Sequence, residues 1–447
     1  MVAFGDSEFI QISLLLIIAA FSIPIARKAS IVEIPILIGF GLLFGPLSNI
    51  ITLTFATNLL NNFATFGMGV LGLTIILYYE SHNINFRVLR KYSGSIISLN
   101  TVGMVITAVM AGMFFSFLTG APLIIGMLFG AIISPTDPST LLPLFKKIKI
   151  QDNYSGTLVG ESLFNDPLAI ILVTLFITLI YSGSSYSSLF VTISSYTGLI
   201  PAIPAFLIIQ ILVPAVVGIS LGFAVIYLNK LLDFENLIVG LMLGVVLFEL
   251  TILYGMGITP FPAIIATGAV VGNYSDRGIF WSRESNFQEN LSFLSQGVIF
   301  ILMGAIVTIN DFYVYFLGGL ILTLFIMFVT RPTAVFASLA IPPSSRTMSL
   351  RTKIFIAISG PKGVVSVVQS SVPLAIGILS GNKLLLQWGS VIEAYVIFIV
   401  LISMVLQTLY TPYAAGKLLP KLSERGSRAL DQASSDSSTI QSSISRA

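Results

Sequence analysis

The chain has 447 residues, of which 55% are hydrophobic and only 9% are charged, and its mean hydropathy is +0.98. Globular domains carry roughly 25% charged residues, so this composition excludes an ordinary soluble domain and indicates a polytopic membrane protein. The 22 basic and 19 acidic side chains nearly balance, which argues against nucleic-acid binding, and the lack of cysteine with a single histidine excludes thiolate and His-rich metal sites.

Apolar runs of about 17 to 25 residues predict membrane-spanning helices. About thirteen such runs are present, so we expect an all-α membrane bundle. They cover residues 9–26, 31–50, 62–80, 93–118, 121–145, 157–182, 203–229, 235–254, 258–274, 290–309, 312–340, 352–379 and 388–414. The Ser-rich tail, residues 417–447, is predicted to be disordered.

The basic residues predict the orientation of the bundle. If the N-terminus lies outside, 19 of the 22 basic residues fall in inner loops or the tail, Lys383 lies outside, and Arg331 and Lys362 lie within spans. This distribution satisfies the positive-inside rule. We therefore expect a multi-pass protein of the cell membrane with an outer N-terminus and a cytoplasmic C-terminus.

The fifth run contains the sequence GAIISPTDPSTLLP, residues 130–143. Pro135 and Pro138 flank Asp137 and predict a broken helix, whose freed backbone carbonyls are tolerated at membrane depth only where they line a cavity or bind an ion. The Asp137 side chain has two readings that stay open, a cap on the second half-helix or a part of the site.

The sixth run contains GESLFNDP, residues 160–167. Helical spacing places Ser162 and Asp166 on one face and Glu161 and Asn165 on another. Asp166 and Ser162 are an all-oxygen pair suited to a hard cation such as Na⁺. The alternative is that these residues only join helices by hydrogen bonds, but two carboxylates at membrane depth favour a functional site.

A second interruption occurs in IAISGPKGVVSVVQ, residues 356–369, around Lys362. This second interruption falls in the twelfth run, and the first interruption falls in the fifth. The offset of seven spans is odd, so the two segments cross the membrane in opposite orientations. Helices four to six and eleven to thirteen therefore predict two inverted repeats with two crossing broken helices, a transporter pattern. Glu80, Glu249, Arg331 and Glu393 are the other charges at membrane depth, where charged groups usually pair.

These motifs resemble those of the sodium/proton antiporters, in the NhaP/NHE-type branch of the monovalent cation:proton antiporters. The resemblance rests on PILIGFGLLFGP (35–46), SPTDP (134–138), GESLFNDP (160–167), FELTILYGMGITPFPAIIATGAVVGN (248–273), TRPTAVFAS (330–338) and SGPKGVVS (359–366). It implies an NhaA-like fold in residues 1–416 and a homodimer. It also implies a core (about 93–182 and 312–414) that moves against a dimerisation part (about 9–80 and 203–309).

The resemblance also implies roles for single residues. Asp166 binds the cation or the proton, helped by Ser162, the carbonyl of Thr136, and Glu80 from the third helix. Asn165 and Asp137 support the broken segments, and Arg331 stabilises the bundle. Lys362 stands where the family usually has arginine and is expected to pair with Glu161, although a lysine that itself gains and loses a proton is the other reading.

The expected function is exchange of Na⁺ (or Li⁺) for H⁺ by competition for Asp166 with alternating access. Because Asn165 is neutral, one carboxylate changes state, which predicts a 1:1 electroneutral exchange. We expect no enzymatic activity and no cofactor, since Na⁺ and H⁺ are substrates. The expected partners are Na⁺ and H⁺, the lipid bilayer and a second copy of the chain, with no nucleic acid. The alternatives are a K⁺/H⁺ antiporter, a Na⁺-coupled solute symporter, and a cation channel, for which a carbonyl filter motif is missing.

Overall fold

The structure is a computed structural model that describes residues 8–29, 33–61, 68–84, 86–137, 152–181, 183, 187–275 and 279–418. Within these residues all regular secondary structure is helical. The first half contains α1 (Glu8–Ala29), α2 (Glu33–Leu42), α3 (Leu53–Asn61), α4 (Met68–His82), α5 (Phe86–Ser98), α6 (Met104–Thr119), α7 (Leu123–Ile133) and α8 (Asp152–Ile180).

The second half of the described chain is also a succession of helices. It contains α9 (Ser187–Thr197), α10 (Leu199–Leu232), α11 (Ile238–Gly255), α12 (Phe261–Tyr274), α13 (Ile279–Ile306), α14 (Ile309–Phe325), α15 (Arg331–Leu339), α16 (Leu350–Ile358), α17 (Val364–Ser370), α18 (Val372–Ser380) and α19 (Lys383–Leu418). Three π-helical segments continue or join these helices: Leu43–Leu47 after α2, Leu99–Gly103 between α5 and α6, and Ile326–Thr330 between α14 and α15.

Seven helical stretches of the described chain are long and apolar enough to cross a membrane: Leu89–Thr119, Thr157–Ile180, Leu199–Leu232, Ile238–Gly255, Trp281–Ile306, Ile309–Leu339 and Lys383–Leu418. Shorter apolar helices occupy Glu8–Ser22, Glu33–Leu47, Leu123–Ile133, Phe261–Tyr274 and Val364–Ser380. The remaining predicted span, 62–80, corresponds to α4, whose preceding residues 62–67 lie outside the described chain. The expected all-α architecture is confirmed, whereas the count of thirteen stays a prediction.

Two helices were not predicted from the apolar runs. α3 lies between the second and third predicted spans, and α9 lies between the sixth and seventh. Both have about ten residues, which is too short to cross the hydrocarbon core of a bilayer. A search for long apolar runs passes over helices of this length.

The two predicted interruptions are present. α7 ends at Ile133 and residues 134–137 are not helical, while the continuation of this predicted span, 138–145, lies outside the described residues. Residues 359–363 are not helical and separate α16 from α17. The two interrupted segments meet, because the backbone N–H of Asp137 donates a hydrogen bond to the carbonyl of Pro361 at 2.9 Å.

Small residues bring α6 and α7 into backbone contact. A Cβ added at Gly130 would overlap the carbonyl oxygen of Ala108, and one added at Gly126 would overlap the carbonyl of Gly112. Such a pattern of small residues four apart is typical of close helix packing in membranes. α7 is thus held firmly against α6 just before its interruption.

The close packing of α7 predicts opposite effects for the same substitution at two glycines. Gly130→Ala should lower the thermal stability of the purified protein, because overpacking costs about 1–3 kcal/mol. Gly240→Ala on α11 should leave it unchanged or raise it, because no atom lies within 4 Å of the added Cβ and alanine favours helix by about 1 kcal/mol. Unfolding in detergent monitored by size-exclusion chromatography checks this, and equal melting temperatures for the two variants would contradict the packing.

Candidate functional site

A small cavity, with about 10 Å³ of space for the centre of a water-sized molecule, lies where the two interrupted segments meet. Its polar lining comes from four elements: Glu80 on α4, Thr136 and Asp137 on the first interrupted segment, Asp166 on α8 and Ser366 on α17. Three of these five side chains are carboxylates. The predicted site residues Asp166, Thr136, Glu80 and Asp137 are therefore brought together around one cavity.

The four elements reach the cavity because α17 packs against α4, α7, α8 and α13. Asp166 and Thr136 are buried, at 5% and 3% exposure, and Glu80 is half-buried. Among the described residues no three acidic or histidine side chains lie close enough to hold one metal ion between them. The three carboxylates thus surround the cavity without forming one compact cluster.

Asn165 joins α8 to the first interrupted segment. Its side-chain nitrogen donates a hydrogen bond to the hydroxyl oxygen of Thr136 at 2.9 Å, and both residues are buried. The threonine side chain is engaged in this way, so its backbone carbonyl is the group of Thr136 that remains for an ion. The predicted supporting position of Asn165 agrees with this contact.

Glu161, next to Ser162 on α8, is held by a two-pronged ion pair. The Arg331 guanidinium donates from Nη1 to Oε1 and from Nη2 to Oε2, the second bond at 2.9 Å, and Arg331 Nη2 also lies 3.3 Å from the carbonyl of Ser359. The planar fork of arginine matches a carboxylate in this geometry. The pair links α8 to the start of α15 and to the second interrupted segment.

The expected pair between Glu161 and Lys362 is wrong. Lys362 Nζ instead donates to the backbone carbonyls of Ser134 at 3.2 Å and Pro135 at 3.1 Å. Arg331 occupies both oxygens of Glu161, and the interruption after α7 leaves carbonyls that need donors. A compact ammonium with three N–H groups suits two neighbouring carbonyls better than it suits a carboxylate already paired in two places.

Glycines make this arrangement possible around Lys362. A Cβ at Gly363 would overlap the side chain of Asp137, and a Cβ at Gly360 would lie 2.9 Å from Nε of Arg331. The second interrupted segment therefore passes close to both the cavity and the ion pair. The two glycines of the GPKG sequence are therefore explained by the lack of room for a side chain at either position.

Ser162 is buried one turn before Asp166 on α8, but it is not among the residues that line the cavity. Of the other buried charges, Glu249 on α11 accepts a hydrogen bond from the hydroxyl of Thr267 on α12. Glu393 is buried in α19, away from the residues that line the cavity. The shared helical face predicted for Ser162 and Asp166 does not by itself place Ser162 at the cavity.

One buried carboxylate, Glu284, was missed from the sequence. Glu284 on α13 is fully buried, accepts a hydrogen bond from the Tyr78 hydroxyl at 3.0 Å, and has its other oxygen 3.9 Å from Nδ1 of His82. In the sequence Glu284 precedes the apolar run 290–309, and a charged residue in such a position is expected to be exposed to solvent. Its contacts Tyr78 and His82 were the only sequence features that could have indicated it, because both carry polar groups at the end of a predicted span.

The chemistry of the cavity is that of oxygen ligands. Carboxylate, carbonyl and hydroxyl oxygens bind hard cations, and a carboxylate also binds a proton. Lys362 interacts electrostatically with Asp166 and adds a positive charge behind the cavity. A single buried acid with access to one cavity is therefore placed to hold either a cation or a proton.

The comparisons with known proteins identify a family. The family model described as "Sodium/hydrogen exchanger, transmembrane" matches residues 14–415. Na(+)/H(+) antiporter 1 of Methanocaldococcus jannaschii is 28% identical over 387 residues, which span 84% of this chain and 83% of that protein. K(+)/H(+) antiporter NhaP2 of Shewanella sp. (strain ANA-3) is 27% identical over 318 residues, which span 70% of this chain and 50% of that protein.

The fold comparison gives the same result. The structure of the sodium proton antiporter MjNhaP1 from Methanocaldococcus jannaschii at pH 8 matches with a TM-score of 0.79 and 25% sequence identity, over 92% of this chain and 98% of that chain. The resemblance inferred from the motifs is confirmed. By its sequence over nearly the whole membrane region, the chain belongs to the sodium/hydrogen exchanger family.

Proposed function

We propose that the protein is a secondary transporter that exchanges Na⁺, or Li⁺, for H⁺ across the cell membrane. Asp166 carries this proposal, because it is a buried carboxylate that lines the cavity between two interrupted helices. The family membership supports it, as do the names of the M. jannaschii relatives, which are Na(+)/H(+) antiporters. The Shewanella relative named as a K(+)/H(+) antiporter makes K⁺/H⁺ exchange the second candidate.

The mechanism is competition of Na⁺ and H⁺ for Asp166. A bound cation or a bound proton each neutralises the carboxylate, whereas the empty site carries an uncompensated buried charge that opposes movement. If only the neutralised forms reorient, inward movement of one ion requires outward movement of the other. Na⁺ binding draws on Glu80, Ser162 and the Thr136 carbonyl together with Asp166.

The neighbouring residues support a 1:1 stoichiometry. Asn165 carries no charge and donates to Thr136. Glu161 is neutralised by Arg331 and stays so during the cycle. With Glu80 and Asp137 keeping their charge states through the cycle, Asp166 alone changes state, and one H⁺ moves for each Na⁺ without net charge transfer.

The transport unit is proposed to have thirteen spans, six of which form two inverted three-helix repeats. α5–α6 and α14–α15 support this arrangement, because they pack side by side in opposite directions: Ser98 donates to the carbonyl of Ser338 at 2.7 Å, while Phe114 stacks on Phe325. Each of these helices also contains a π-helical segment. The core of about 93–182 and 312–414 moves against the part of about 9–80 and 203–309, which also forms the homodimer.

The size of the cavity disfavours a symporter of an organic solute. Pockets for small organic ligands usually enclose about 300–1,000 Å³ with several recognition groups. The cavity here leaves only about 10 Å³ for the centre of a water-sized molecule, which is room for about one water, and its lining contains no aromatic side chain. A space of this size and polarity suits a bare ion.

The exchange mechanism predicts the behaviour of Asp166→Asn. In proteoliposomes, the wild type should move protons in response to Na⁺ equally well with the membrane potential clamped or free, and Asp166→Asn should move none. Glu393→Gln, which changes a buried carboxylate outside the cavity in the same way, should keep the exchange. Fluorescent pH dyes provide the measurement.

Two results would contradict this reading of Asp166. Proton movement that persists in Asp166→Asn would place the site elsewhere. Exchange that slows when the potential is free would show that charge is moved, and would make Lys362 the second titrating group.

The ion pair predicts a strong energetic coupling between two helices. Glu161→Gln and Arg331→Gln should each lower the free energy of unfolding by about 3–5 kcal/mol, because each leaves one buried charge unpaired. The double variant should lose less than the sum of the two. Denaturant unfolding in detergent measures the coupling.

The matched cycle between Glu161→Gln and Lys362→Gln tests the corrected partner. Since Lys362 donates to carbonyls and not to Glu161, the changes in unfolding free energy of these two variants should be closer to additive than those of Glu161→Gln and Arg331→Gln. A larger coupling with Lys362 than with Arg331 would restore the pairing expected from the sequence.

A further inference from the structure

Ser366 lines the cavity and has no role in the mechanism described above. It lies in the first turn of α17 and is fully buried. Among the described residues its hydroxyl has no hydrogen-bond partner. Leaving a buried hydroxyl without a partner is unfavourable, and such groups in native proteins are usually satisfied by a neighbour, a water or a ligand.

The next two serines along the chain, Ser370 and Ser371, satisfy their hydroxyls locally. Ser370 donates to the carbonyl of Val367 at 2.7 Å, and Ser371 donates to the carbonyl of Val368 at 2.9 Å. This is the usual behaviour of serine in a helix. Ser366 departs from it at the one position of the three that lines the cavity, which points to an interaction inside the cavity.

The other lining hydroxyl already makes one hydrogen bond. Thr136 Oγ1 accepts a hydrogen bond from Asn165 at 2.9 Å. Of the two hydroxyls that line the cavity, the one on Ser366 is therefore the one without a hydrogen-bond partner among the described residues. Ser366 lies in α17, directly after the second interrupted segment, whereas Thr136 lies in the first.

A neutral oxygen is the ligand that this cavity still needs. Glu80, Asp137 and Asp166 already supply negative charge around it. Hard cations take several oxygen ligands, and a hydroxyl adds coordination without adding buried charge. A hydroxyl also fits a site that must accept a proton and a cation in turn, because it can donate to the empty carboxylate and accept from the protonated form.

We propose that the hydroxyl of Ser366 is an oxygen ligand of the transported cation, a small hard monovalent ion. The cation then bridges the two interrupted segments through Thr136 and Ser366 and is neutralised by Asp166. This inference rests on the proposed exchange and adds a ligand to the same site.

The test compares Ser366→Ala with Ser370→Ala in proteoliposomes at varied Na⁺ and varied Li⁺. Ser366→Ala should raise the KM for the cation about tenfold, the loss expected for one bond to a charged partner, while the maximal rate changes by less than about twofold. Ser370→Ala, on the same helix and equally buried, should leave both parameters unchanged. The ratio of KM values for Na⁺ and Li⁺ should shift only in the Ser366 variant, which a merely structural defect would not produce.

The outcomes separate this inference from the proposed function. If the wild type exchanges cations for protons and Ser366→Ala keeps its KM and its ion preference, Ser366 is not a ligand and exchange stands. If the wild type moves no protons with Na⁺, Li⁺ or K⁺, both proposals fail. Should Ser366→Ala not assemble, Ser366→Cys replaces the hard oxygen by a soft sulfur of similar size, and the same criterion on KM applies.

Discussion

The structure depends on one constraint, that backbone groups released at membrane depth must find partners inside the protein. Two interrupted helices release such groups, and they supply one another. Lys362 from the second segment donates to the carbonyls of Ser134 and Pro135 in the first, and the N–H of Asp137 in the first donates to the carbonyl of Pro361 in the second. Each interruption therefore relies in part on the other for its hydrogen bonds, and the cavity lies where the two segments meet.

The charges around the crossing divide into fixed and exchangeable ones. Arg331 and Glu161 neutralise each other through two hydrogen bonds and tie α8 to α15. Lys362 lies at the C-terminal end of α7, where a positive charge is favoured by the partial negative charge of the helix end. Asp166 takes part in neither of these contacts, so in the proposed exchange its charge can change without breaking them. The proposed competition mechanism requires such a separation between the charges that hold the helices together and the acid that binds the ion.

The sequence predicted those features that depend on local chemistry. Pro135 and the GPKG sequence predicted the interruptions, and GESLFNDP predicted a polar helix at membrane depth; both are found. The partner of Glu161 was not predictable in this way, because helical spacing tells which side chains share a face and not which helix lies opposite. Arg331 is 170 positions away in the chain, and only the tertiary packing brings it to Glu161.

Glu284 and Ser366 show two further limits of the sequence. Glu284 precedes an apolar run, and its burial follows from the packing of α13 against α4, which no local pattern encodes. Ser366 stands in a run of valines, where a serine usually bonds to its own helix. Its unusual feature is the missing local bond, and that becomes visible only when the hydrogen bonds are assigned.

The corrected pairing changes what lysine at position 362 means. In a two-pronged ion pair a lysine would be a weaker substitute for arginine, but here Arg331 fills that place and Lys362 serves two carbonyls instead. A neutral amine keeps two N–H groups, so loss of its proton would not release these carbonyls. It would remove a positive charge that acts on Asp166. In the proposed exchange, the charge state of Lys362 would therefore influence how strongly Asp166 binds its ion, while the hydrogen bonds of Lys362 to the two carbonyls persist in either state.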